Sequence, residues 1–215
     1  MKSDRCGFSG VVSSLSVDAA YAVCGASSQR AGGVLWLTGL SGAGKTTLAD
    51  ALAARLRDRG VHPVVLDGDR LRTGLNRDLG FTVQDRFENV RRIAEVAALT
   101  SESGALAIVS VISPLVAMRD EARSIVGQAF REVYVSTPLA CCEARDPKGL
   151  YAKARGGVLP EFTGVSSPYE PPVDADLTID TGRTSLAVCV DTLMRFAHAQ
   201  FGFPADARAV QMRCG

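Results

Sequence analysis

Apolar positions along this 215-residue chain alternate between two periods. Short, nearly unbroken apolar runs lie at Val34-Leu35-Trp36-Leu37-Thr38, Val61–Leu66, Ala105–Ile112, Glu132–Ser136 and Leu177-Thr178-Ile179. Their lengths predict strands, and Ala105–Ile112 is as uniformly apolar as a strand covered on both faces must be. Between them, apolar residues recur at helical spacing. Such stretches run over Leu48–Leu56, over about Gln84–Ser103 (Val90, Ile93, Ala94, Ala97, Ala98), over Val116–Val126, through Cys141 and Cys142, and over Ser185–Phe201. Strands and helices that alternate without an internal repeat predict an α/β protein with a doubly wound, mostly parallel sheet flanked by helices. In that architecture a ligand lies at the carboxyl ends of the strands.

Three stretches fall outside the alternation. Residues 1–32 are rich in Ser, Ala and Gly without a period, and read as a loosely packed extension preceding one domain over residues 33–201. Residues 146–172 hold Pro147, Gly149, Gly156, Gly157, Pro160, Gly164, Pro168, Pro171 and Pro172. That density of breakers predicts a long ordered loop or lid rather than core. Residues 202–215 read as a frayed tail.

Composition narrows the function classes. A hydrophobic share of 47% supports a sizeable core, and a net charge of +1 supplies no field for nucleic acid or an anionic membrane. No apolar run approaches the ~20 residues of a membrane helix, and Ser13, Ser14, Ser16 and Asp18 interrupt any signal-like run. The six cysteines form no C-x-x-C pair, so a reducing cytoplasm is the expected setting.

The tightest constraint is Gly39-Leu40-Ser41-Gly42-Ala43-Gly44-Lys45-Thr46-Thr47, a gapless G-x-x-x-x-G-K-[ST] between a predicted strand and a predicted helix. Its backbone amides and the helix N-terminus suit phosphate oxygens, Lys45 reaches the outer phosphates, and the Thr46 hydroxyl is a ligand for Mg²⁺. A glycine-rich turn in an unrelated domain is the plainer reading. It leaves the Lys, the Thr and both flanks unexplained.

A phosphate cradle names a nucleotide but not a reaction. Asp67 and Asp69 flank Gly68 at the end of the second strand, facing the same crevice. One carboxylate can take a proton from a hydroxyl while the other orients Mg²⁺ or water; a solvated Asp-Gly turn is the competing reading. Arg70, Arg72, Arg77, Arg86, Arg91 and Arg92 follow, with Asn89 on the helix face of Arg86. Arg91 and Arg92 suit surface ion pairs. The whole cluster beside a phosphate loop suits a second, anionic substrate.

Five blocks together resemble the adenylylsulfate (APS) kinase family, within the P-loop kinases. They are Asp67–Phe81, Asp85–Ala97, Ile112-Ser113-Pro114, Arg145–Tyr151, and Glu161–Gly164 with Ser167–Pro172. The resemblance implies transfer of the γ-phosphoryl of ATP to the 3′-hydroxyl of adenosine 5′-phosphosulfate (APS), with Mg²⁺, to give PAPS. It implies Asp69 as base with Asp67 beside it, and Arg72, Arg86 and Asn89 on the phosphosulfate. Phe81 and Phe162 would sandwich the APS adenine, while Ile112 and Ser113 join the acceptor site. Arg145 would lie against the ATP adenine, with Lys148 and Lys153 on the lid. Ser113 is expected to hydrogen-bond in the acceptor site, transfer being direct. The resemblance also implies a homodimer, with an ATP sulfurylase as a possible partner. The chain departs from the family at Val111, Leu115, Val116 and Met118, where one aromatic and two charges beside Ser113 are missing. Two other readings remain open: a P-loop kinase for a different hydroxylated acceptor, and an inactive nucleotide-binding partner of a sulfurylase.

Overall fold

The computed structural model describes residues 32–203, so the expectations for residues 1–31 and 204–215 lie outside the described residues. Five strands form one sheet: β1 (Gly33–Thr38), β2 (Val64–Asp67), β3 (Leu106–Ser110), β4 (Phe130–Val135) and β5 (Leu177–Ile179). Their spatial order is β2-β3-β1-β4-β5 and every pairing is parallel. The helices are α1 (Lys45–Arg57), α2 (Gly68–Arg72), α3 (Val83–Glu102), α4 (Val116–Val126), α5 (Leu139–Arg145), α6 (Leu150–Arg155) and α7 (Leu186–Phe201).

The two-residue period of β1 divides the core. Leu35 and Leu37 join Leu48, Leu52 and Leu56 of α1 and Leu193 and Ala197 of α7 on one face. Val34 and Trp36 join Val90, Ile93 and Ala97 of α3 and Met118 and Ala122 of α4 on the other. β3 splits in the same way, with Leu106 and Ile108 to the first cluster and Ala107 and Val109 to the second. Every residue of β1 and β3 is buried, because a central parallel strand has no solvent face.

Several predicted boundaries move for identifiable reasons. β2 starts after Pro63, which carries no N–H for a ladder, and therefore runs over Val64–Asp67 rather than from Val61. β3 ends at Ser110, before Ser113 takes a left-handed φ of 38°. The stretch 146–172 is corrected most. It contains α6, and it buries Tyr151, Ala154 and Thr163, so part of it belongs to the core. The six-residue α6 fits between Gly149 and Gly156, too short to register as a period among so many breakers.

Truncating Leu52, fully buried on α1, to Ala should cost about 2–5 kcal/mol. Urea unfolding followed by circular dichroism should show a lower midpoint with an unchanged slope; an unchanged midpoint would contradict the packing described.

Candidate functional site: a phosphate loop facing an acid and arginine cluster

The loop between β1 and α1 is shaped by positions that accept no side chain. Gly39 has φ +148°, and a Cβ there would meet the Val135 carbonyl oxygen at 2.6 Å. Gly44 caps α1 in a left-handed conformation with no side-chain hydrogen bond, which leaves the first-turn amides for a ligand. Lys45 folds back over the loop, donating to the carbonyls of Gly39 (2.9 Å) and Leu40 (2.8 Å). Burial is the main cause of its low pKa, down to about 8; Cys142, Asp69 and Asp67 oppose that shift and Lys148 adds to it. A phosphate would replace the two carbonyls as partner and raise this pKa again.

Neighbouring hydroxyls brace the loop. Thr181 and Thr137 both donate to the Ala43 carbonyl, at 2.7 and 3.1 Å, and the two hydroxyls lie 2.8 Å apart. Tyr151 donates to the Ser41 carbonyl at 3.0 Å. Arg145 donates to the Thr181 hydroxyl and carbonyl at 2.9 and 2.7 Å, so it borders the loop beside β5. None of these three bracing residues was singled out from the sequence. Thr137 and Thr181 follow the carboxyl ends of β4 and β5, where the crevice rule would have found them.

The acid pair has two separate tasks. Asp67 caps α2, its Oδ1 accepting from the amides of Asp69 (3.0 Å) and Arg70 (3.1 Å). Its Oδ2 accepts from the Thr46 hydroxyl at 2.7 Å, and the Ser110 hydroxyl lies 3.2 Å from Thr46. Asp67 thus both caps the turn into α2 and contacts the first residue after Lys45 of the phosphate loop. Asp69 is exposed and pairs with Lys148 of the 146–172 segment.

Among the arginines, Arg91 and Arg92 are engaged by Glu88, Glu95 and Asp78 on the surface, as expected. Arg72 donates to the Gly80 carbonyl at 2.7 Å and sits 4.5 Å from the ring centre of Phe81. Arg86 donates to the carbonyls of Phe81 (2.8 Å) and Glu161 and to the Thr163 hydroxyl (2.5 Å). One guanidinium thereby holds the backbones that carry Phe81 and Phe162. Burial lowers the pKa of both arginines, and the proximity of Arg86 adds to the shift of Arg72. The Phe81 ring is 64% exposed, whereas Phe162 rests edge-on against Tyr151 with ring centres 5.0 Å apart. Asn89 is buried and its Oδ1 accepts from Asn76 at 3.0 Å. Lys153 lies exposed on α6.

Ser113 differs from its expectation. It is 1% exposed, accepts from the Trp36 indole at 3.1 Å and donates to Thr38 at 3.0 Å. Its hydrogen bonds are directed into the protein rather than toward a ligand. Ile112 is partly exposed, and its carbonyl accepts from Thr38 at 2.7 Å. The departures nearby are absorbed locally. Met118 is fully buried in the core, and Val116 begins α4 with its amide donating to the Glu170 carboxylate at 2.6 Å. A cavity of about 560 Å³ opens on the β4 side of the loop, walled by Leu40, Tyr134, Thr137, Gly164 and Tyr169 among others. Its walls include none of Asp67, Asp69, Arg72 or Arg86.

The family model for adenylylsulphate kinase matches residues 31–180. An adenylyl-sulfate kinase of Paraburkholderia xenovorans is 56% identical over 163 residues, covering 76% of this chain and 91% of that relative. A solved structure of the Mycobacterium tuberculosis APS kinase, in complex with AMPPNP and APS, superposes with a TM-score of 0.76 at 44% identity. The match spans 79% of this chain and 99% of that one. A hexameric APS kinase from Thiobacillus denitrificans gives a TM-score of 0.60 at 31% identity, over 80% of this chain and 29% of that longer one.

The low pKa of Lys45, about 8, has a measurable consequence. Below it the ammonium is already charged; above it, binding a triphosphate must first return the proton. Nucleotide affinity should therefore fall by up to about tenfold per pH unit above that pKa. Calorimetry at pH 9 in buffers of different ionisation enthalpy should show proton uptake that is nearly absent at pH 7. Uptake equal at the two pH values would refute the assignment.

Proposed function

We infer the reaction from one premise: the chain belongs to the adenylylsulphate kinase family. It is a kinase that transfers the γ-phosphoryl of ATP to the 3′-hydroxyl of APS, giving PAPS and ADP. One observation carries the assignment of roles. The 2.7 Å hydrogen bond from Thr46 to Asp67 joins the phosphate loop to the acid pair, so donor and acceptor groups share a single crevice.

The residues divide the work. Residues 39–47 hold the ATP phosphates, Lys45 moving from the loop carbonyls to the outer phosphates, and Arg145 flanks the adenine beside Thr181. Thr46, Asp67 and Ser110 present three oxygens in one cluster, a donor set that fits Mg²⁺, which favours oxygen ligands and shares them with phosphates. A Mg²⁺ ion bound by these oxygens would supply charge neutralisation for the transferring group. Asp69 accepts the proton of the 3′-hydroxyl. Its ion pair with Lys148 supports a role for this lid cation near the proton acceptor, following the phosphoryl as charge develops. Arg72, Arg86 and Asn89 hold the phosphosulfate, and Phe81 and Phe162 flank the acceptor adenine. The inward hydrogen bonds of Ser113 support direct in-line transfer without a phosphoserine intermediate.

A cytoplasmic setting accords with free thiols at Cys141, Cys142 and Cys189, and among the described residues no helix is long and apolar enough to cross a membrane. A homodimer is the assembly the resemblance implies, an ATP sulfurylase its possible partner.

ADP release with ATP and Mg²⁺ should depend on added APS; release that ignores APS, or none, would overturn the reaction. Asp69→Ala should lower kcat by about 10²–10⁴-fold with little change in ATP affinity. Normal turnover in that variant would remove Asp69 as the base.

A further inference from the structure

Asn76 is a polar side chain that the reaction above does not use. It lies in the turn after α2, fully buried, with its amide N–H donating to the Leu71 carbonyl at 2.9 Å and its carbonyl accepting from Leu79 at 3.1 Å. Its side chain makes one hydrogen bond, from Nδ2 to Asn89 Oδ1 at 3.0 Å. Its own Oδ1 is buried without a partner. An apolar residue would fill the same space without stranding an acceptor, so the donor end is the useful part of this side chain.

The consequence falls on Asn89. Its amide has one accepting and one donating end, and the two point opposite ways. With Oδ1 occupied by Asn76, the NH₂ group is the free end of the amide, and no acceptor among the described residues takes it. Asn89 lies three positions after Arg86 on α3, and Asn76 four positions after Arg72, two guanidiniums close enough to perturb one another. One helical turn after Arg86, Asn89 shares its face of α3, so its unpaired donor end lies on the side of the helix that carries the cationic cluster. If the amide were turned round, its oxygen would oppose an anion held there.

We propose that Asn76 is a positioning residue for the anionic acceptor, fixing the Asn89 amide with its NH₂ group toward the phosphosulfate. This rests on the acceptor reading above. Asn76 touches no substrate. It acts by removing the wrong orientation of Asn89 before APS arrives, so its effect appears in acceptor affinity and not in ATP affinity.

A double-mutant cycle in the full chain tests it, with APS and ATP binding measured separately by calorimetry. Asn89→Ala should weaken APS binding about tenfold, the loss expected for one bond to a charged group. Asn76→Ala should weaken it about fivefold, yet by less than about twofold once Asn89 is already Ala. ATP affinity should hold in all three variants. Additive losses, or equal weakening of both nucleotides, would show that Asn76 only supports the fold and would overturn the proposal. The apolar, near-isosteric Asn76→Leu, which neither donates nor adds charge, provides the same cycle should the alanine variant not fold. Wild-type protein that binds no APS would remove the acceptor reading itself, and this role with it. Wild-type binding with additive losses removes the role of Asn76 alone.

Discussion

Burial of β1 on both faces is the constraint on which the rest of the molecule depends. Its alternate side chains enter separate cores, Leu35 and Leu37 against α1 and α7, Val34 and Trp36 against α3 and α4. A strand held from two sides cannot slip by one residue without exchanging its whole set of core contacts. That rigidity is passed to the loop that leaves it. Gly39, whose missing Cβ lets the chain approach Val135, turns the backbone back toward α1, and the phosphate cradle inherits the position of the sheet. A site that must hold a transferring group to within fractions of an ångström needs such a base.

Hydroxyl groups carry this order outward from β1. Trp36 and Thr38 project to the same face and meet Ser113 at 3.1 and 3.0 Å, fixing the turn after β3. Tyr169 reaches Thr38 at 3.1 Å, which ties the end of the 146–172 segment to the same strand. Arg119 extends the tie. Buried on α4, it pairs with Glu132 at 2.8 Å and donates to the carbonyls of Ser113 (2.9 Å) and Glu170 (2.8 Å). A guanidinium so placed must satisfy its donors internally, because water does not reach it.

The segment is anchored at several points, with charged side chains left exposed between them. Its latter part is held through Phe162, Thr163, Tyr169 and Glu170, while Lys148 and Lys153 lie exposed at its start. Lys148 is joined to Asp69 by a pair of exposed side chains, an interaction worth at most about 1 kcal/mol. Tyr151, between the two lysines, is buried and donates to the Ser41 carbonyl at 3.0 Å, so the backbone of α6 is held while the lysine side chains are free to turn.

Much of this was legible in the residues. The two periods gave the sheet and its flanking helices, with α4 and β5 correct to the residue, because a buried parallel strand and an amphipathic helix each write their environment into the chain. The loop at 39–47, the acids at 67 and 69 and the arginines at 72 and 86 were visible because that chemistry demands specific residue types close together in sequence. What the sequence could not express was pairing across distance. Nothing local distinguishes the Ser113 hydroxyl turned toward Trp36, 77 positions away, from one turned toward a ligand. Nor does it reveal that Thr137 and Thr181 meet over Ala43, that Tyr151 enters the core from a stretch rich in breakers, or that Asn76 governs Asn89. Period and motif report each residue's own environment; only the folded chain decides which polar group spends its hydrogen bonds inside and which keeps one for the substrate.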